Sequence, residues 1–314
     1  MLPELMAIKS TKVAILMCTY NGEPFLKEQL DSLIAQDISD WHLWVSDDGS
    51  KDKTWAILES YQSKMNGRLS IIKGPKKGFA RNFLSLICMK DIKAEYYAYS
   101  DQDDIWHSDK LSAALQWLET IPKGTPALYG ARSMWINEAG QELGLSNLFI
   151  GPFSFKNALV QNVAAGNTMV FNQAACNLIR EAGNDIDVIF HDWWTYIVVS
   201  GCGGEIFIDK APRLDYRQHD NNVIGCNNGF HAKVIRLKRL LSGHMRYWNT
   251  RHVVALQKII HRLTSENRYI LDLFANARED SLLPRLIGIK RSGIYRQTAL
   301  GNIAIIIAAF LRKL

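Results

Sequence analysis

Apolar and polar positions follow two different periods along the first 120 residues. Residues 13–18 (VAILMC) form a continuous apolar run, as expected of a strand buried on both faces of a parallel sheet. Thr19-Tyr20-Asn21-Gly22 closes that run as a loop. Leu26, Leu30, Leu33 and Ile34 then recur at helical spacing, with Pro24 acceptable in a first turn. Residues 41–46 (WHLWVS) predict a second strand ending on Asp47-Asp48-Gly49-Ser50. A helix follows over 52–61, with Ser50 and Asp52 as capping candidates and Trp55, Leu58 and Tyr61 toward the core. Residues 69–72 supply a third strand before the basic turn Lys73-Gly74-Pro75-Lys76-Lys77-Gly78, and 79–89 the next helix. Residues 96–100 (YYAYS) are the fourth strand, and Leu111, Ala114, Leu115 and Leu118 mark the helix after it. Strands alternating with helices predict an α/β fold with a mostly parallel, doubly wound sheet, whose ligands bind outside the carboxyl ends of the strands.

Past Pro122 the alternation weakens. Residues 127–135 and 168–171 read as strands, and Gly201 to Gly204 as a turn, since it lacks both G-x-G-x-x-G and a following Lys-Ser/Thr. After about Gly229 the character changes. Over 231–262, Ile235, Leu237, Leu240 and Leu241 sit beside Lys233, Arg236, Lys238 and Arg239. Over 282–314 the apolar run 303–310 (IAIIIAAF) is surrounded by Arg285, Lys290, Arg291, Arg296, Arg312 and Lys313. Basic amphipathic helices of this kind predict an element lying on an anionic membrane surface, with a helical subdomain or homodimer face as the alternatives. The run 303–310 is far shorter than the roughly 18 to 20 apolar residues that span a bilayer. On the membrane reading, removing 282–314 releases the protein and spares its chemistry.

Composition narrows the class. A 314-residue chain with 47% hydrophobic residues can bury one large core or two ordinary ones, which excludes a disordered protein. The net charge of +6, from 37 basic and 31 acidic residues, is a modest imbalance that permits anionic partners. The basic residues concentrate with aliphatics, without the ordered aromatic and basic platform of a single-strand nucleic-acid binder. Five cysteines at 18, 88, 176, 202 and 226 show no paired metal-ligand spacing, so neither a disulfide framework nor a zinc site is expected and a reducing compartment is. Residues 1–12 do not read as a secretory signal.

The candidate chemistry centres on Tyr96-Tyr97-Ala98-Tyr99-Ser100-Asp101-Gln102-Asp103-Asp104-Ile105-Trp106. Three carboxylates within four residues at a strand end call for a cation or strong donors nearby. Asp101 and Asp103, at alternate positions, can turn toward one hard divalent cation that takes substrate phosphates as further ligands. A solvated turn or helix cap is the plainer reading of the same stretch.

The order of the clusters is more specific than any one of them. Thr19-Tyr20-Asn21-Gly22-Glu23, then Asp47-Asp48-Gly49-Ser50, Gly78-Phe79-Ala80-Arg81-Asn82 and Asp101-Gln102-Asp103-Asp104 together resemble the family 2 glycosyltransferases of GT-A fold, over about residues 12–226. Asp103-Asp104-Ile105-Trp106, Gly166-Asn167-Thr168-Met169-Val170-Phe171-Asn172, His191-Asp192-Trp193-Trp194 and the segment 216–225 resemble the rhamnosyltransferase branch of bacterial surface polysaccharide synthesis. The resemblance implies a GT-A catalytic domain over 1–228, with a donor half at about 12–122 and an acceptor half at 123–228, followed by a helical extension over 229–314.

It also implies roles. Thr19, Tyr20 and Glu23 line the nucleotide pocket, Asp47 accepts from a pyrimidine N–H, and Arg81 contacts the diphosphate. Asp101 and Asp103 form a DXD motif, with Asp103 the direct ligand of Mg²⁺ or Mn²⁺ and His219 a further ligand. Asp192 is the general base of an inverting displacement, its pKa raised by Trp193 and Trp194, which also offer a stacking face to a sugar. In place of the family's more widespread Gln-x-x-Arg-Trp, this chain reads Arg217-Gln218-His219. The implied reaction moves L-rhamnose from dTDP-rhamnose to a lipid-linked oligosaccharide in O-antigen or other surface polysaccharide synthesis. The implied location is cytoplasmic, peripheral at the inner face of the inner membrane. A UDP-hexose donor (glucose, galactose or N-acetylglucosamine) and a non-catalytic sugar-nucleotide-binding protein are the alternatives. A nucleotidyltransferase would want a basic, Gly-rich loop after the first strand, which Cys18-Thr19-Tyr20-Asn21-Gly22 is not.

Overall fold

The computed structural model describes residues 11–219 and 242–314. The basic run expected over 233–241, the tail of the 216–225 motif from 220 onward, Cys226 and residues 1–10 lie outside the described residues.

The donor half alternates as its hydrophobic pattern predicts: β1 (Thr11–Thr19), α1 (Leu26–Ile34), β2 (Trp41–Asp47), α2 (Thr54–Tyr61), β3 (Leu69–Lys73), α3 (Phe79–Ile87) and β4 (Ala94–Ser100). After β5 (Ile105–Trp106) and α4 (Lys110–Leu118) come β6 (Ala127–Ile136), β7 (Glu142–Leu145), α5 (Phe155–Ala158), β8 (Val170–Asn172), α6 (Gln173–Ala182), α7 (His191–Gly201) and β9 (Glu205–Arg217). Four further helices follow the undescribed stretch: α8 (His244–Leu256), α9 (Ser265–Glu279), α10 (Leu282–Ser292) and α11 (Ala299–Phe310).

Among the described residues these strands make one sheet ordered β3-β2-β1-β4-β8-β6-β9-β5, with β7 on β6. The first four strands are mutually parallel, whereas β8 runs antiparallel to both β4 and β6, so the acceptor half is mixed rather than parallel. The apolar run of β1 has the cause inferred for it. Ala14, Leu16 and Cys18 face one core layer with α3, α6 and α7, while Val13, Ile15 and Met17 face the other with α1, α2 and α4. In α2, Leu58 and Tyr61 are buried as expected, but Trp55 turns outward and donates from its indole N–H to Glu59 one turn on. Lys53 occupies the N-cap position, yet Asp52 just before it accepts from the Thr54 N–H of the first turn at 3.0 Å, while the Ser50 hydroxyl accepts from Asn21 N instead.

The C-terminal helices share the first of these cores. Leu256, Phe274, Ile289, Ile305 and Ala309 are buried with Phe83, Phe155 and Trp194. Arg285, read from sequence as part of a basic face, is buried instead and donates to the carbonyls of Ala309 and Asp280, tying α10 to α11. Residues 282–314 therefore carry part of the core, and their removal would uncover it; the expectation that truncation is harmless is corrected. No helix among the described residues is long and apolar enough to cross a membrane.

Candidate active site

β1 and β4 are neighbours in the sheet, yet the chain leaves β1 toward β2 and β3 and later returns to β4 on the opposite side. That reversal opens a crevice at the carboxyl ends of the two strands, the general ligand position of open α/β sheets. Thr19 and Tyr20 come from one lip, Asp101 and Gln102 from the other. The Gln102 amide accepts from Tyr20 N at 2.9 Å and donates to Tyr20 O at 3.1 Å, stitching the lips together. A Cβ at Gly22 would lie 2.5 Å from Gln102 Oε1, so a larger residue there would push the amide out of this clasp.

The register places Thr19 opposite Asp47, and the Thr19 hydroxyl donates to Asp47 Oδ2 at 2.9 Å. Asp47 Oδ2 also accepts from the Ser50 hydroxyl, and Oδ1 from the backbone N–H groups of Gly49 and Ser50. The chain itself thus occupies both oxygens twice, and Asp47 organises its own loop rather than capping α2. Asp48 accepts from the backbone of Lys76 and Gly78, holding the basic turn. Glu23 accepts from Lys53 N at 3.1 Å and pairs with its ammonium at 3.0 Å, which holds its carboxyl below the usual range. The Tyr20 side chain projects from this rim, 55% exposed.

The acidic loop is enclosed. Asp104 is wholly buried: Oδ2 accepts from the Asn167 amide at 2.6 Å, and Oδ1 has no partner. Burial, then the Asp103 and Asp101 charges, push its pKa well up. Burial first, then Asp103 and Asp192, raise Asp101 to about 7. Beneath them lies a buried lysine, Lys110, donating to the Asn167 carbonyl with its ammonium 3.2 Å from the Trp106 ring centroid. Burial lowers its pKa against the opposing pull of Asp104 and Asp101.

Across the loop, His219 Nε2 lies 2.7 Å from Asp103 Oδ2, its ring stacked on Phe25. Arg217, 1% exposed, donates to the Asp103 and Glu138 carbonyls and to Glu28 Oε2, and so fixes the segment that presents His219. A crowded set of carboxylates, one with an oxygen lacking any partner, beside an imidazole suits a hard or borderline divalent cation. Among the described residues no three His, Cys, Asp or Glu side chains converge on one point. Asp103 and His219 are a pair of such side chains that do meet, at 2.7 Å.

Asp192 sits in the first turn of α7. Its Oδ2 accepts from Asn162 Nδ2 and Gly166 N, each at 3.0 Å, and its Oδ1 from Trp193 N at 2.6 Å. Burial outweighs these three donors and raises its pKa to about 6. The 3-10 turn Gly166–Thr168 serves two carboxylates at once: Gly166 N holds Asp192, and the Asn167 side chain holds Asp104. A Cβ on Gly166 would lie 2.9 Å from His191 Nε2 and 3.2 Å from Asp192 Cβ. His191 itself is stacked on Phe83 at 3.8 Å, and burial lowers its pKa to about 3, so it stays neutral.

One expectation changes here. Trp193 and Trp194 are both buried, with the Trp193 indole donating to Ala158 O and packing edge-on to Trp248 and His252, so neither presents a face to a sugar. Arg81 donates to the Asn184 carbonyl at 2.7 Å across a cleft of about 740 Å³ that Lys77, Phe79, Asp185, Asp187 and Arg251 also line. Its partner in this structure is thus the 184–189 segment. Gln102 and Arg217 stand inside sequence motifs without a role of their own, and Lys110 and Asn162 stand outside them. Lys110 had a detectable signal: it falls in the apolar helical stripe with Ala114 and Leu118, where a lysine is out of place.

A switch-point crevice with an acidic loop on one side and a half-buried carboxylate across from it is the layout of a GT-A glycosyltransferase. Solved structures agree at the level of fold. Staphylococcus aureus TarS 1–349 aligns with TM-score 0.53 at 14% identity, covering 96% of this chain and 88% of that one. The mannosyltransferase PcManGT from Pyrobaculum calidifontis, in complex with GDP-Man and Mn²⁺, aligns with TM-score 0.52 at 17% identity, covering 98% and 88%. Residues 14–180 match the Glycosyl transferase family 2 model, and the chain belongs to that family. It is 32% identical over 234 residues to a dTDP-rhamnosyl transferase, RfbG of Shigella flexneri, covering 70% of this chain and 78% of the relative. Over 114 residues it is 31% identical to the poly(ribitol-phosphate) beta-N-acetylglucosaminyltransferase TarS of S. aureus, covering 34% of this chain and 19% of TarS.

Proposed function

We propose that this glycosyltransferase moves L-rhamnose from dTDP-rhamnose, with inversion, onto a hydroxyl of a lipid-linked oligosaccharide in bacterial O-antigen or surface polysaccharide synthesis. The observation that carries the reading is the 3-10 turn Gly166–Thr168, which fixes Asp192 and the Asp101–Asp104 loop to successive residues. An acceptor-side base and a donor-side acidic loop held by one rigid turn keep a fixed relation, as an in-line displacement needs. The 32% identity to a dTDP-rhamnosyl transferase over most of the chain supports the sugar.

In this reading the pyrimidine stacks on the exposed Tyr20 ring beside Thr19 and Glu23, and its N–H exchanges for the Ser50 hydroxyl at Asp47 Oδ2. Arg81 leaves the Asn184 carbonyl for the diphosphate. A divalent cation, Mg²⁺ or Mn²⁺, held by Asp103 and His219 would neutralise charge on the leaving nucleoside diphosphate. Asp192, ionised above about pH 6, takes the proton of the attacking hydroxyl as its oxygen bonds to the anomeric carbon. The bond to the diphosphate breaks with its electron pair leaving on the phosphate oxygen. A UDP-hexose is the second reading, favoured by the shorter match to an N-acetylglucosaminyltransferase.

A donor panel decides between them: dTDP-rhamnose, UDP-glucose, UDP-galactose and UDP-N-acetylglucosamine, each with Mn²⁺ and with EDTA. Turnover of dTDP-rhamnose above the rest supports the proposal, and turnover of a UDP-hexose alone overturns it. Binding without turnover of any donor would make the chain a sugar-nucleotide-binding protein.

A further inference from the structure

Helix α11 has two apolar faces. Ile305, Ala308 and Ala309 face the core, while Leu300, Ile303, Ile307 and Phe310 point outward, at 77%, 51%, 41% and 58% exposure. Their spacing of three, four and three residues makes them one stripe along the helix. On α10, Leu283 and Ile287 repeat the pattern one turn apart, 71% and 57% exposed. Surface apolar side chains usually occur singly; two adjoining helices carrying continuous outward stripes mark a surface meant to be covered.

Charge decides what covers it. Between 281 and 314 the chain has six basic residues and no acidic one. Arg285 is spent inside, but Lys290, Arg291 and Arg312 are exposed at the ends of these helices. A second copy docked about a two-fold axis would set this positive face against itself. An anionic partner with an apolar interior has no such conflict. At 12 residues α11 is about 18 Å long, too short to cross a bilayer and long enough to lie in its headgroup layer.

We propose that the outward faces of α10 and α11 dock the enzyme on an anionic lipid bilayer, with Leu283, Ile287, Leu300, Ile303, Ile307 and Phe310 sinking below the headgroups and the flanking cations meeting lipid phosphates. Such a surface brings the crevice to an acceptor that is itself lipid-linked. The inference rests on the proposed acceptor for its purpose, but not for its test, because binding to vesicles and transfer to a soluble acceptor are read separately.

The full chain is sedimented with vesicles of phosphatidylcholine alone and of phosphatidylcholine with phosphatidylglycerol, at low and high salt. Preferential, salt-sensitive binding to the anionic vesicles is expected. Ile303→Asp with Phe310→Asp should weaken it at least about tenfold, with the thermal midpoint and soluble-acceptor transfer retained. Lys290→Glu with Arg291→Glu, which leaves every apolar contact in place, should do the same through charge and keeps the test decisive if the first pair folds poorly. Indifference of the full chain to anionic vesicles at low salt overturns the proposal. So does a dimer in light scattering that Ile303→Asp dissociates with vesicle binding unchanged, which would assign the face to a second copy.

Discussion

Asp192, the proposed base, lies in a partly closed site, and its surroundings set the pH above which it is ionised. Burial raises its pKa to about 6 against three hydrogen bonds. The protonated acid cannot accept the acceptor's proton, so kcat/KM should fall as pH drops through about 6 and level off above it. Asp192→Asn should remove that acid limb and lower kcat by about 10²–10⁴ while donor affinity holds, measured by titration with the nucleotide sugar. Loss of donor affinity together with rate would place Asp192 in the donor site instead. At Asp103 the expectation is sharper: Asp103→Ala should abolish transfer with an unchanged circular dichroism spectrum, and EDTA should mimic it in the unmodified enzyme. Wild-type activity in EDTA would remove the cation from the mechanism. Asp101, Asp103 and Asp192 are legible in the chain because clustered or motif-bound carboxylates stand out. The 2.7 Å meeting of Asp103 with His219, 116 residues apart, is legible only through the family resemblance and not from the residues themselves, since it depends on where β9 ends.

The 3-10 turn Gly166–Thr168 shows how an element with almost no hydrophobic content can position the chemistry. Its sequence was visible as a motif, but its work was not, because Gly166 acts through a backbone N–H and Asn167 through an amide aimed at a buried acid. Gly166→Ala tests the element. The new methyl has to displace the His191 ring or the Asp192 stem, so a loss of about 1–3 kcal/mol in stability is expected, with kcat reduced more than donor affinity. An unchanged thermal midpoint with unchanged kcat would show that the turn yields freely. Legibility fails elsewhere for a related reason. The central strands β1 and β2 announce themselves by runs buried on both sides. β9 hides, because EIFIDKAPRLDYR mixes charges with Pro212 and half-buried positions, and its register against β6 shifts between Ala131 and Met134. The strand that delivers Arg217 and His219 to the acidic loop is therefore the one its own composition conceals.

At the scale of the molecule, the C-terminal helices are both part of the core and an outward surface, and a sequence pattern that is apolar all round cannot say which residue does which. Ile303 and Ile305 are two positions apart on α11, one 51% and the other 3% exposed. Ile305 packs among Ala308, Ala309, Phe274 and Ile289, so Ile305→Asp should bury an unpaired charge and cost about 3 kcal/mol or more. Ile303→Asp should stay within about 0.5 kcal/mol of the parent in the same denaturant titration. Equal losses at both positions would mean that the outward stripe is covered by protein. Cutting the chain before Leu282 cannot separate the two roles. It removes Ile289, Ile305, Ala308 and Ala309 from the core and takes away the Leu314 carbonyl that the buried Arg278 guanidinium donates to at 3.0 Å. Such a truncation should lower the thermal midpoint and the soluble yield together. The outward-face variants should change only where the enzyme goes.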